Sequence, residues 1–584
     1  MSDASDKRAG PTEPSDDESK PEPAVAADAE PEPKPAVPAE PEPKPEPVAE
    51  SWRPQRILGT KMAYAFALLT GVLYFLGYPG MDLWPVSLVA LAPLIVALRG
   101  QSVRRATGLG WLSGFTMTMV GFYWLLGMLK TFSGFPTVLC ALFMALLCGY
   151  QAGRIALCGF IYGRAASRGW PASLCFVGAF AASELLYPLI FPWDFGASVH
   201  NAPVFLQTAD LGGPILVGLV LVAANLAVAE LLGMLVLGAR VNRRLLVAGA
   251  VVPIVAALYG QWRISSIDAQ IERSEAVKVG LVQGNSPLLG RQDALRTHLK
   301  LTRQLKDQGA QLVVWSEASV TGAFPEKDMD KLMRRAFTSR LGVPTIIGTV
   351  LHRPIENAPP KGRQAQLFNT AVLADEKGNI TSRYDKHILL MFGEYIPFGE
   401  TFPKLYEWSP NSGGFTPGTS FEPLQLGSHR FATTICYEDI IPSFVRQGVR
   451  QDETDMLVNL TNDTWFGATH EPWQHLALAT FRAVEMRTDL VRAVTTGVSV
   501  FIDATGQVTA HTQAYDPTDE RVPPDRLLGD VALIEGGHTF YAAVGDLFGS
   551  LCTAALVLLL LAARLRRRQL ERKTRKTGSP EISK

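Results

Sequence analysis

With 584 residues, 47% of them apolar, the chain is long enough for two or more domains, and its 55 basic and 55 acidic residues cancel to a formal charge of zero. That balance argues against a nucleic-acid partner. Of six cysteines, five (Cys140, Cys148, Cys158, Cys175 and Cys552) lie inside long apolar runs, so no disulfide framework is expected.

The first 50 residues hold 12 of the 40 prolines, in repeats such as PEPKPAVPAEPEPKPEP, with acidic residues and almost no large apolar side chains. Such a segment buries too little surface to offset its ordering entropy, so residues 1–55 are expected to form a disordered acidic tail. No apolar core follows a basic start within it, so a signal peptide is not expected.

Residues 56–262 are dominated by seven apolar runs near membrane-spanning length, at about 62–78, 84–98, 107–129, 137–162, 171–190, 214–238 and 245–262; an eighth spans about 541–563. The second is short and contains Pro85 and Pro93. If all eight span, Arg53, Arg56 and Lys61, then Arg99, Arg104 and Arg105, then Arg164 and Arg168, then Arg240, Arg243 and Arg244, and the basic tail 564–584 all fall on one side. The intervening loops carry only Lys130. The positive-inside rule then places both termini in the cytoplasm and residues 263–540 outside it.

That segment reads as an α/β domain. Strand-like runs include VKVGLVQG, QLVVWSEA, PTIIGTVL, NTAVLAD, RFATTICYE, DMLVNLTND and VSVFIDATG, and helix-like stretches fall near 290–308, 328–340 and 472–488. Three chemically apt residues end such runs: Glu317 after LVVWS, Lys386 after TSRYD, and Cys436 after FATTI. A carboxylate can take a thiol proton, and an ammonium can stabilise an oxyanion at the attacked carbonyl. The bland alternatives are a packed cysteine and a structural ion pair between Glu317 and Lys386.

WSEAS at 315–319, YDKHILLMFGEYIPF at 384–398, CYED at 436–439, NLTNDTWFG at 459–467 and FRAVEMRTDLVRAVTTGVS at 481–499 resemble the nitrilase, or carbon–nitrogen hydrolase, superfamily with its Glu–Lys–Cys triad. The N-terminal helices, FPWDFGASVHNAPVFLQTADLGG at 191–213 and VGLVQGNSP at 279–287 narrow the resemblance to the bacterial apolipoprotein N-acyltransferase family, over about 60–563. It implies a polytopic α-helical membrane domain (56–262), an extracytoplasmic nitrilase-like αββα sandwich (263–540), a C-terminal transmembrane helix (541–563) and a location in the bacterial inner membrane. It further implies Glu317 as general base, Lys386 as oxyanion stabiliser and Cys436 as nucleophile, with Glu394 and Glu438 required for activity and Tyr437 and Trp465 supporting the site or binding substrate. Ser316 stands where the family commonly has proline, ASVTGAFP after Glu317 departs from its usual sequence, and Thr464 replaces a commoner alanine.

The reaction implied is transfer of an acyl group from a membrane phospholipid to Cys436, and from that thioester to the α-amine of an S-diacylglyceryl cysteine on a lipoprotein. No nucleotide, cofactor or metal is expected, and a monomer is the expected form. A membrane-anchored amidase would use the same triad with water as acceptor, and a lipoprotein-traffic scaffold would need no triad; the seven apolar runs and the complete triad favour the transferase. Asn225 and Glu230, within the sixth run, either line a substrate path or bond between helices. HEPWQH at 470–475 spaces its histidines by five and contains Pro472, unlike a zinc-binding HExxH helix. Finally, ILLMFGEYIPFGETFPKLYEW at 388–408 is dense in large apolar residues but broken by Gly393, Pro397, Gly399 and Pro403, so a loop that dips into the bilayer as a lid over Cys436 is expected, against packing under the core.

Overall fold

The computed structural model describes residues 57–577 apart from 286–292, 321, 357–363, 392, 397, 400, 403, 405–413, 452–453 and 516–521. The acidic tail and parts of the 388–408 loop, including Phe392 and Trp408, therefore lie outside the described residues.

All eight apolar runs are helical, but not as eight uniform spans. Among the described residues, five helices are long and apolar enough to cross a membrane: Thr60–Gly77, Thr137–Ala166, Ala209–Leu237, Arg243–Ile271 and Leu547–Leu565. The pair Val103–Gly121 and Leu125–Thr131, bent by 61° at its break, is a broken span or a re-entrant loop, while Trp84–Leu98 and Ala172–Leu186 are shorter. Two expected boundaries move. The helix that starts at Arg243 runs past 262 to Ile271, and the final apolar run divides into Phe540–Val544 and a helix from Leu547, with Gly545 at φ 63 between them.

The Trp84–Leu98 run is a 3-10 turn followed by Ala92–Leu98, and a break in a helix frees backbone groups that hydrocarbon cannot satisfy. Asn225 supplies the partners: its Oδ1 accepts from the N–H of Leu91 (2.7 Å) and Ala92 (3.1 Å), and its Nδ2 donates to the carbonyls of Ser87 and Leu221, both at 2.8 Å. Glu230 pairs with Arg99 at 2.6 Å and accepts from the N–H of Asn242 at 2.8 Å. Both residues bind the bundle together, which settles the alternatives in favour of helix-to-helix bonding.

Thirteen described strands build two sheets. One is ordered β13 (Asp525–Ala532), β1 (Ala276–Gln283), β2 (Leu312–Trp315), β4 (Thr345–Pro354), β5 (Ala365–Ala374), β6 (Ile380–Asp385), with β3 (Ala323–Pro325) beside β4. The other is ordered β12 (Val508–His511), β11 (Val500–Ile502), β10 (Leu490–Val494), β9 (Met456–Thr461), β8 (His429–Ile435), β7 (Leu424–Leu426). The centres, β1-β2-β4 and β8-β9-β10, are parallel.

Alternation along the strands explains the layers. Leu312 and Val314 of β2, and Met456, Val458 and Leu460 of β9, meet in the core between the sheets. Val313 and Trp315 face outward and are covered with Leu301, Leu305 and Met333 of the helices Ala294–Asp307 and Met329–Ala336. The second sheet's outer face is covered by the helices Pro442–Gln451 and Glu471–Met486. This is the expected αββα sandwich.

The two domains share a core. Leu478, Phe481 and Val484 of the Glu471–Met486 helix belong to the membrane domain's apolar cluster, while Leu476, Ala479, Ala483 and Met486 pack on the second sheet. At the end of that helix Arg487 donates to Asp210 Oδ2 at 2.6 Å, which also accepts from Arg263 at 2.8 Å, while Asp210 Oδ1 accepts from the Tyr259 hydroxyl at 2.7 Å. Three segments are thus tied at one buried carboxylate.

Candidate active site

Glu317, Lys386 and Cys436 come together as expected, each just beyond a strand end: β2, β6 and β8 respectively. All three are buried. Lys386 Nζ lies 3.3 Å from Glu317 Oε1 and 2.8 Å from Glu394 Oε2. A residue that sequence reading missed completes the arrangement: Asn369 of β5 donates its one amide nitrogen to Glu317 Oε1 at 2.7 Å and Glu394 Oε1 at 3.0 Å. Its carbonyl also accepts from the Lys386 N–H at 2.8 Å.

The Glu317 loop needs close backbone approach. A Cβ on Gly348 would lie 2.2 Å from the Ser316 carbonyl oxygen and 2.8 Å from the Glu317 Cα, so only glycine lets β4 pass there. The Ser316 departure makes its own bond, since its hydroxyl accepts from Thr495 Oγ1 at 3.0 Å.

Cys436 begins the 3-10 turn Cys436–Ile440 with φ 56, a left-handed conformation costly for a side chain that carries a Cβ. Its neighbours hold the turn. The Glu438 carboxylate accepts from the N–H groups of His387 (2.6 Å), Ile388 (2.9 Å) and Ile435 (2.8 Å) and from the Tyr384 hydroxyl (2.8 Å). Asn459 of β9 donates to the Cys436 carbonyl at 3.1 Å. The Tyr437 hydroxyl donates to Glu471 at 2.5 Å, and the Tyr437 ring stacks on the His475 imidazole with centroids 4.6 Å apart. Trp465 lies in the next turn, Asp463–Trp465, half-buried against the membrane domain's core. Glu317, Lys386 and Glu394 are thus joined by direct contacts, Tyr437 and Glu438 lie in the Cys436 turn, and Trp465 packs on the membrane domain's cluster.

Protonation follows from burial and charge. Burial and the nearby Glu317 carboxylate push the Cys436 thiol well above the usual cysteine range, despite the pull of Lys386. Burial likewise raises Glu317 against the attraction of Lys386. Burial opposes the Lys386 charge, but Glu317 and Glu394 hold its ammonium well above the usual lysine range. At rest the thiol is neutral and the ammonium fixed, so thiol deprotonation belongs to the attack itself.

Asp463, Glu471 and His475 offer ligand atoms within 4.8 Å of one another. The positive charge there is already supplied, because Arg492 sits 3.6 Å from Asp463, and His475 presents both ring nitrogens to carboxylates. The donor set does not fit a metal ion. His470, the other histidine of that motif, stacks on Phe75 instead.

Comparison with known proteins places this geometry among relatives. The family model described as "Carbon-nitrogen hydrolase" matches residues 278–518, and that described as "Apolipoprotein N-acyltransferase N-terminal domain" matches residues 70–227. An apolipoprotein N-acyltransferase of Geobacter metallireducens is 28% identical, covering 86% of this chain and 95% of its own. One of Vibrio cholerae is 29% identical, covering 77% and 88%. Among solved structures, a mutant of the amidase from Nesterenkonia sp. AN1 is 20% identical over 47% of this chain and 98% of its own, with a TM-score of 0.32.

Proposed function

The chain belongs to the apolipoprotein N-acyltransferase family and is an acyltransferase, and from that premise we propose that it moves a fatty acyl group from a membrane phospholipid to a lipoprotein's N-terminal α-amine through a thioester on Cys436. The observation that carries this reading is the convergence of a neutral Cys436 thiol, the Glu317 carboxylate and the Lys386 ammonium at three strand ends.

In the first step Glu317 takes the thiol proton as Cys436 Sγ attacks the ester carbonyl of the phospholipid. The oxyanion faces the Lys386 ammonium and a backbone N–H beside Cys436, an arrangement in which one donor is typically worth about 2.7–4 kcal/mol. Collapse expels the lysophospholipid oxygen, which leaves with the proton held by Glu317. In the second step the α-amine of an S-diacylglyceryl cysteine, with an ordinary pKa of about 7.7, attacks the thioester and gives its proton to Glu317. Collapse forms the amide and returns the proton to Cys436.

This chemistry takes place at the outer face of the bacterial inner membrane, a reading supported by the loop charges and by helices long enough to cross a bilayer. Incubated with phospholipid and no acceptor, the full-length protein is expected to accumulate a hydroxylamine-labile acyl group on Cys436, absent in Cys436→Ala. Acyl transfer that persists in Cys436→Ala overturns the mechanism.

A further inference from the structure

Beneath the nucleophile turn lies a closed ring of four buried charges from four elements: Asp439 of the turn, His475 of the Glu471–Met486 helix, Asp463 of the turn after β9, and Arg492 of β10. His475 Nε2 is 2.9 Å from Asp439 Oδ1 and His475 Nδ1 is 3.3 Å from Asp463 Oδ1. Arg492 closes the ring, 3.3 Å from Asp439 Oδ2 and 3.6 Å from Asp463 Oδ2. A neutral imidazole has one donor and one acceptor nitrogen, so with a carboxylate oxygen at each nitrogen only the imidazolium satisfies both contacts. Signs then alternate around the ring and its charges cancel.

None of these four groups is a member of the triad, yet Asp439 lies three residues after Cys436 in the same short turn, and the Tyr437 ring covers the imidazole. A buried cation between two carboxylates is a rigid support, because loss of its charge leaves the two anions facing each other without water. We propose that His475 is a positioning residue of the acyl-transfer reaction: bridging Asp439 and Asp463 as an imidazolium, it holds the left-handed Cys436 turn that presents the thiol to the acyl carbonyl. The proposal rests on the thioester reading for its kinetic readout, but the state of the imidazole and the access of the thiol do not depend on it.

Burial and Arg492 oppose the charge on His475, and Asp439 and Asp463 outweigh them, placing its pKa at about 9. The groups that face it are Asp439, Asp463, Arg492, Tyr437 and Glu471. Of these Glu471 needs separation, because burial and Asp463 raise its carboxyl to about 8. In Glu471→Gln the amide oxygen can still accept from Tyr437 while that titration disappears.

The test uses full-length protein in nanodiscs with a water-soluble thioester as acyl donor. In wild type, the ¹⁵N signals of the His475 ring should show an imidazolium at pH 7.5 that titrates near 9, with the Cys436 acylation rate falling over the same range at unchanged KM. The limb should persist in Glu471→Gln whatever that variant's absolute rate. His475→Gln, which can bond only one carboxylate, should slow acylation at pH 7.5 by about 100-fold, the cost typical of a misplaced reacting atom. It should slow iodoacetamide alkylation of Cys436 in parallel. A neutral ring at pH 7.5, or acylation indifferent to the ring's titration, overturns the proposal even if His475→Gln fails to fold. Alkylation that follows His475 while no acyl-enzyme forms in wild type overturns the thioester reading and leaves the positioning role standing.

Discussion

Lys386 is the residue on which charge in the site turns. It stands between two carboxylates, and its loss would leave Glu317 and Glu394 buried together without a counter-ion. Lys386→Met is expected to abolish the acyl-enzyme on Cys436 while near-ultraviolet circular dichroism still reports a packed fold. Acidification provides a second check. Glu317 must be ionised to accept the thiol proton, and burial sets its pKa above the usual carboxylate value of about 4.3, so acylation should fall on the acid side with a midpoint above that value. Glu394 contributes to the rise in Glu317, so Glu394→Gln should move the midpoint to lower pH, measured as single-turnover acylation against pH. Glu438 has a different task. Four donors converge on its carboxylate, and in Glu438→Gln the amide NH₂ would face donors in place of an acceptor oxygen. That variant should lose about 2–3 kcal/mol of stability, read as a lowered denaturation midpoint, and most of its acylation.

At the level of elements, residues 388–402 form turns, irregular backbone and an isolated bridge where they are described, and Lys404 is helical. Its apolar side chains divide. Ile396 is buried, whereas Met391, Phe398 and Phe402 are 38%, 76% and 60% exposed, the only exposed large hydrophobics between 272 and 539 among the described residues. The same loop is tethered to the triad, because Glu394, which pairs with Lys386, also accepts from the Leu390 N–H at 2.8 Å. Ile396 is thus packed, while Met391, Phe398 and Phe402 are the residues on which the lid expectation can be tested. Phe398→Ser combined with Phe402→Ser should slow acylation by phospholipid at least about tenfold more than acylation by a soluble thioester, with the melting temperature nearly unchanged. Equal losses with both donors would assign these side chains to the core.

Elements also show why some of this was legible in sequence and some was not. Glu317 and Cys436 each end an apolar run, so a change from apolar to polar along the chain marks both, whereas Lys386 follows the polar TSRYD and stands out through the motif YDKHILLMFGEYIPF. Asn369, Asn459 and His475 carry no such mark. Asn369 joins Glu317 to Glu394 across 52 and 25 residues of sequence, and His475 meets Asp439 across 36, so their roles exist only once the sheets are assembled. Strands β10 and β13 were missed because Arg492, Asp525, Arg526 and Asp530 interrupt their apolar pattern; Arg492 is nevertheless fully buried, as its ring of carboxylates permits. In the membrane domain, hydropathy located every apolar run but could not register the breaks, which depend on Asn225 and on the left-handed glycines at 213 and 545.

For the whole molecule, the Asp210 junction sets how the sandwich stands on the bundle. Asp210→Asn should leave Arg487 buried without its counter-ion and cost about 3–5 kcal/mol, seen as a lowered thermal midpoint in detergent. Arg487→Gln on top of it should restore part of that loss. Topology is tested independently: reporter fusions near residues 165 and 242 and at the C-terminus should report the cytoplasm, and one near 350 the opposite side. A cytoplasmic signal near 350 removes both the orientation and the lipoprotein substrate.

The Glu471–Met486 helix, with Leu478, Phe481 and Val484 on one side and Leu476, Ala479, Ala483 and Met486 on the other, has no solvent side to spare. The catalytic half is therefore not a cassette. Cut free of the bundle, residues 272–539 would present that aromatic and aliphatic stripe to water and should be recovered in inclusion bodies rather than as a soluble hydrolase. Conversely, a water-soluble amidase domain grafted onto these transmembrane helices would bring a polar face to an apolar socket. Exchange of modules between the two kinds of protein requires rewriting one face of a single helix first, which makes that helix the barrier to shuffling at this junction.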